Sequence, residues 1–286
     1  MASSGRQHII LFPFMSKGHT IPLLHFARLL LLRHNTAVTV FTTPKNRPFV
    51  ANSLGGTGAS IVTLPFPTPT GTDIPAGVES TDELPSISLF YKFANATEAM
   101  QPHFEHALQH TLPRPNFMVT DGFLWWTLQS ATKFSVHRFV YYGMSCHSHS
   151  LSKEAVHSGI LGGPQPNDEL VELTRFPWIK ICKEDFESEF RNIDPNSVAY
   201  QFNMKVISAT IISYGMVVNS FYELEPVFVD FLNTEPSPKS WCVGPFCLAE
   251  QGSKIYPEPG VYSRLQTFFP FFNGRQIFIF QSQFYT

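Results

Sequence analysis

The chain has 286 residues, 43 % of them hydrophobic and only 15 % charged, against about 25 % charged in an average soluble protein. That composition excludes disorder and supplies a large core, with length enough for one big domain or two ordinary ones. A formal net charge of −2 provides no basic field for phosphate backbones, which excludes nucleic acid as the main partner and leaves small molecules.

Residues 8–14 (HIILFPF) form a short, almost wholly apolar run, the pattern of a strand covered on both faces in a parallel sheet. Residues 20–33 (TIPLLHFARLLLLR) read as a crossover helix with Thr20 as N-cap and Pro22 in the first turn. Residues 37–41 (AVTVF) are the next strand, so the first 45 residues make a βαβ unit. A third strand is expected at 61–64, an extended loop with four prolines at 65–75, a helix at 89–110 and a strand at 117–120. A helix at 124–134, a strand at 139–142 and a long Gly/Pro-rich loop at 159–167 follow. Helix at 198–213, strand at 216–219, helix at 223–232 and a short strand at 241–243 complete the pattern. Repeated βα units predict an α/β fold with a doubly wound, Rossmann-like parallel sheet.

Four scattered cysteines, Cys146, Cys182, Cys242 and Cys247, form no CxxC pair and read as reduced thiols. Pro13 and Lys17 interrupt the N-terminal apolar run before it can act as a signal peptide, and no apolar stretch is long enough for a membrane span. A cytoplasmic location is expected, and the sequon at Asn95 reads as a chance match.

In an open α/β sheet, ligands bind beyond the carboxyl ends of the strands. The loop after the first strand carries Gly18-His19-Thr20 at a helix N-terminus, and the loop after FMVT carries Asp121-Gly122. If those strands are close in the sheet, a carboxylate orients an imidazole there, which makes a general base. The helix N-terminus is expected to lower the His19 pKa. On spacing alone, an ordinary capping histidine and an unrelated loop aspartate remain the alternative.

The sequence resembles plant UDP-dependent glycosyltransferases of secondary metabolism. The resemblance rests on HIILFPFMSKGHTIPLLHFARLL, on VTVFTTP at 38–44, on VTDGFLWWT at 119–127, on VNSFYELEP at 218–226 and on WCVGP at 241–245, in the family's order. It implies the N-terminal, acceptor-binding half of a GT-B architecture, residues 1–250, whose partner domain would hold a UDP-sugar as co-substrate. It also implies that His19 takes the proton of a hydroxyl on a small acceptor such as a flavonoid while Asp121 stabilises the imidazolium. The transfer inverts the anomeric centre and needs neither metal nor cofactor. By position, Phe14, Met15, Gly18, Trp125, Trp126 and Met144 are expected to line the acceptor pocket, and Ser145 to lie towards the donor.

The family's C-terminal donor box is absent, and residues 251–286 carry no resemblance; from 261 on there are seven Phe and two charges. A truncated chain with little activity of its own is expected, unless a donor domain is supplied. A non-catalytic small-molecule binding module, or a decayed fragment, is the competing reading. A less favoured one is an α/β-hydrolase, because Gly143-Met144-Ser145-Cys146-His147 nearly matches Gly-x-Ser-x-Gly. His103, His106 and His110 on one helix face, and His147 and His149 beside Cys146, read as solvated histidines rather than metal ligands. Gly55-Gly56-Thr57-Gly58 precedes a strand and reads as a turn rather than a phosphate loop.

Overall fold

The computed structural model describes residues 6–33, 35–67, 73–186, 188–191, 194–234 and 238–247; the Phe-rich tail from 251 lies outside the described residues. Seven parallel strands make one sheet: β1 (Gln7–Phe12), β2 (Thr36–Thr42), β3 (Ser60–Thr63), β4 (Phe117–Asp121), β5 (His137–Tyr141), β8 (Gly215–Val218) and β9 (Ser240–Cys242). Their spatial order is β3-β2-β1-β4-β5-β8-β9. The chain therefore builds outward from β1 in one direction and then, from β4, in the other. The reversal falls between β1 and β4, the place where open α/β sheets bind ligands.

Parallel strands covered on both faces must be apolar on both, and β1 is. Ile9 and Leu11 join Phe117 and Val119 of β4 in one layer, with Leu23, Leu24, Ala27 and Leu30 of α1 (Lys17–Leu31). Ile10 and Phe12 join Met118 in the opposite layer. That layer is roofed by α3 (Phe90–Ala96), α4 (Gln101–His110), α5 (Thr127–Lys133), α6 (Cys146–His157), α8 (Val198–Ile212) and α9 (Pro226–Thr234).

Several expected boundaries move. Helix α1 starts at Lys17 with Ser16 as N-cap, so Thr20 is not the cap; its hydroxyl donates to the Phe14 carbonyl (3.1 Å). The backbone is already helical there, since the Thr20 N–H donates to the Ser16 carbonyl (2.8 Å). The helix expected at 89–110 is broken by a tightened 3-10 turn, Thr97–Met100, before α4. Pro102 has no N–H for the Glu98 carbonyl, which ends the α-helical ladder at that point. Helix α5 begins at Thr127, three residues later than expected.

Helices α2 (Arg47–Ser53), α6 and α7 (Ser188–Arg191), and the antiparallel pair β6 (Val171–Glu172) and β7 (Lys180–Ile181), had no sequence expectation. In the turn between α2 and β3, Gly56 and Gly58 have φ of +74° and +79°, a left-handed backbone that suits glycine and has no helix behind it to cradle a phosphate.

Candidate active site

Strand β1 ends at Phe12 and the chain bends into α1, whose third residue is His19. The β1–β4 register pairs Phe12 with Thr120, so Asp121 emerges one step beyond, on the same rim. There His19 Nδ1 lies 2.7 Å from Asp121 Oδ2. The Asp121 side chain is fully buried and that of His19 is 21 % exposed. The other carboxylate oxygen accepts the Phe123 N–H (3.0 Å), which fixes the carboxylate in place. With Nδ1 engaged by Asp121, Nε2 is the ring nitrogen left to accept a proton from a solute.

Burial pulls the His19 pKa down, but the charge of Asp121 and its hydrogen bond pull it up by more, and the net position lies above the ordinary imidazole value. This corrects the expectation that the helix end lowers it. A full negative charge at hydrogen-bond distance outweighs the half-charge of a helix terminus.

Aromatic rings wall the imidazole. Phe14 and Phe123 have ring centres 5.8 and 5.2 Å from it, and Phe90 packs on Phe123 at 5.3 Å. Phe14 and Met15 are both buried, and the Met15 carbonyl accepts the Thr81 N–H (2.9 Å). Gly18 is exposed beside His19. The loop after β5 reaches the same rim, for a methyl on Gly143 would lie 3.8 Å from the Gly18 carbonyl oxygen. Met144 on that loop is half exposed.

The two tryptophans do not meet the dyad. Trp126 is fully buried, with its ring 5.9 Å from Phe12 and 5.6 Å from Phe104 and its Nε1 donating to Thr97 Oγ1 (3.2 Å). That leaves no face for an acceptor and makes it a core residue. Trp125 turns toward α8, where Lys205 Nζ sits 4.4 Å over its ring, in a groove of about 450 Å³ shared with Leu128, Met204 and Ala209.

Sequence reasoning passed over Phe123, which lies between Gly122 and the more conspicuous tryptophans, and Arg138. The Arg138 side chain is buried beneath Asp121. Its Nε donates to Thr120 Oγ1 (2.7 Å) and Thr127 Oγ1 (3.0 Å), Nη1 to Ser213 Oγ (2.7 Å) and Nη2 to the Asp121 carbonyl (3.2 Å). Burial pushes its pKa down to about 10.

Ser145 is the N-cap of α6, its Oγ accepting the Ser148 N–H (3.2 Å). The same helix end is held by Glu225, whose carboxylate accepts the N–H groups of Cys146 (3.0 Å) and His147 (2.8 Å). The Ser145 hydroxyl is thus committed to the helix, and among the described residues no imidazole bonds it, which gives the hydrolase reading no support. The rings of His106 and His110 lie tilted against each other, with centres 4.5 Å apart. Among the described residues no group of three or more His, Cys, Asp or Glu is disposed to hold a metal ion. Among them, too, no helix is long and apolar enough to cross a membrane.

No protein-family model matches the chain. It is 48 % identical over 262 residues to UDP-glycosyltransferase 90A1 of Arabidopsis thaliana, an alignment covering 88 % of this chain and 54 % of that protein. It is 32 % identical over 268 residues to the UDP-glucose flavonoid 3-O-glucosyltransferase 7 of Fragaria ananassa, covering 86 % and 51 %. The crystal structure of Glycyrrhiza uralensis UGT73P12, complexed with glycyrrhetinic acid 3-O-monoglucuronide, superposes with a TM-score of 0.73 at 26 % identity, covering 86 % of this chain and 50 % of that one. The chain spans about half the length of the curated relatives it matches. In sequence and in fold, the chain corresponds to the N-terminal half of plant UDP-glycosyltransferases.

Proposed function

We propose that this half binds a small hydroxylated acceptor and supplies the base for an inverting sugar transfer from a UDP-sugar. The observation that carries the reading is the 2.7 Å contact of His19 with a buried Asp121 at the strand-order reversal, with the imidazole still reachable from solvent. His19 Nε2 takes the acceptor's hydroxyl proton as the oxygen bonds to the anomeric carbon and the bond to UDP breaks. The resulting imidazolium is stabilised by Asp121, and base catalysis of this kind contributes about 10²–10⁴-fold. No metal or cofactor enters these steps.

Phe14, Phe90 and Phe123 favour a flat, ring-bearing acceptor of the flavonoid or phenol class, laid with its hydroxyl toward Nε2. The flavonoid activity named for the Fragaria relative supports that class. Met144 and Ser145 follow Gly143 on the loop that reaches Gly18, Met144 beside the acceptor and Ser145 on the side where the donor would approach. The UDP-sugar is held by a second domain, so residues 1–286 expressed without one are expected to turn over little or nothing. A cytoplasmic location goes with a UDP-sugar substrate and with cysteines that, among the described residues, form no disulfide.

The test joins this chain to the donor domain of the Arabidopsis 90A1 relative and assays UDP-glucose with a panel of flavonols. Turnover by the fusion, its loss in His19→Ala, and none by the chain alone are expected. A fusion whose activity survives His19→Ala, or a lone chain whose activity depends on His19, overturns the reading.

A further inference from the structure

Cys146 opens α6 and Cys242 closes β9, and their sulfur atoms lie 3.5 Å apart although 96 positions separate them in the chain. Neither thiol reaches the other through a loose backbone. The Cys146 N–H is held by Glu225, and Cys242 stands in register with Val218 in the sheet. Cys146 is fully buried and Cys242 is half-buried, so the second of the pair is the one nearer solvent. Cys182 and Cys247 have no such arrangement among the described residues; Cys247 is the most exposed of the four.

We propose that Cys146 and Cys242 form a modification site, a dithiol that a peroxide converts to a reversible disulfide, fastening the start of α6 to the end of β9. Closing the sulfurs from contact to a bond of about 2.05 Å asks for roughly 1.5 Å of approach. The contact with Cys242, burial and the nearby Glu225 carboxylate all keep the Cys146 thiol protonated, well above the ordinary thiol range. Cys242 is therefore the sulfur that meets the oxidant. It attacks one peroxide oxygen, the O–O bond breaks, and the departing oxygen leaves as water with the thiol proton, giving a sulfenic acid. The Cys146 sulfur then displaces the sulfenic hydroxyl, which takes the Cys146 proton and leaves as a second water. Two thiols are oxidised and one peroxide is reduced. Glutathione-class thiols reverse the step.

The bond acts on the rim of the site. Cys146 directly follows Met144 and Ser145, on the loop whose Gly143 approaches the Gly18 carbonyl beside His19. The inference concerns two thiols only and stands whether or not the chain takes part in sugar transfer.

The folded 286-residue chain is treated with hydrogen peroxide, its remaining thiols are alkylated, and its peptides are mapped by mass spectrometry. A Cys146–Cys242 linked peptide that dithiothreitol releases is expected, with the link absent in Cys242→Ser and retained in Cys247→Ser. Recovery of Cys146 and Cys242 as alkylated thiols or as sulfinic acids, or a link from either to Cys247, overturns the proposal. So does an equal yield of the same link from chain unfolded in urea, since the fold then does nothing to pair them.

Discussion

His19 and Asp121 meet at 2.7 Å across 102 positions of chain because the strands that deliver them, β1 and β4, are neighbours at the reversal of the sheet. The contact couples proton binding to folding. The His19 pKa is raised in the folded chain, burial lowering it and Asp121 raising it by more. A raised folded pKa gives stability that is fully present below the unfolded value, about 6.5, and is lost as pH rises through the folded value. The urea midpoint of the parent chain should therefore exceed that of His19→Gln by more at about pH 5.5 than at about pH 8.5. An equal gap at both pH values would show that the imidazole gains nothing from its partner.

Asp121→Asn keeps the shape of the side chain and removes its charge. In the fusion with a donor domain, kcat should fall by about 10²–10⁴-fold with little change in acceptor KM, because the imidazolium forms only as the proton moves. Steady-state kinetics at saturating UDP-glucose read this directly. A kcat within tenfold of the parent would remove Asp121 from the mechanism.

Gly122 has no room for a side chain, since a methyl group there would overlap the ring of Tyr142, whose hydroxyl is 2.6 Å from Thr210 Oγ1. Gly122→Ala must push the ring aside or move the Asp121 turn. A loss of about 1–3 kcal/mol in unfolding free energy is expected, from overpacking with the Tyr142 bond disturbed. Thermal and urea unfolding measure it, and an unchanged midpoint would mean that the ring has somewhere else to go.

Much of this arrangement could be read before folding, and the rest was hidden for physical reasons. The strands announce themselves as apolar runs such as HIILF and FMVT, because both faces are covered. His19 and Asp121 are legible as polar residues just beyond such runs, yet strand adjacency, a long-range property, decides whether they touch. Helix α6 reads as polar (CHSHSLSKEAVH), because its buried Ser150 and Glu154 are satisfied by Phe228 and Arg175 rather than excluded from the interior. Trp126 and Phe123 lie three residues apart on one turn. Which of them faces the core follows from where α5 starts, a boundary that spacing leaves open.

Arg138 is buried and, among the described residues, its guanidinium bonds only hydroxyl and carbonyl oxygens, from Thr120, Thr127, Ser213 and Asp121. A lysine keeps the charge but cannot spread three donor nitrogens over four acceptors drawn from β4, α5 and the end of α8. Arg138→Lys should lower unfolding free energy by about 2–3 kcal/mol, the sum of hydrogen bonds lost from a buried cation. Chemical denaturation monitored by tryptophan fluorescence gives the value, and a loss under about 0.5 kcal/mol would mean that water replaces the fork.

Phe123 and Trp126 separate binding from packing. Trp126 fills the layer between Phe12 and Phe104 with no exposed surface, so Trp126→Ala should cost about 3–5 kcal/mol of stability. Phe123 is only partly buried, and its ring lies against His19 where an acceptor would rest. Phe123→Ala in the fusion should raise KM for planar flavonols more than for small aliphatic alcohols, while kcat for a bound acceptor changes little. If Phe123→Ala instead lowers stability as far as Trp126→Ala does and leaves acceptor preference unchanged, the aromatic wall beside His19 is core, and the acceptor must lie on the exposed side formed by Gly18 and Met144.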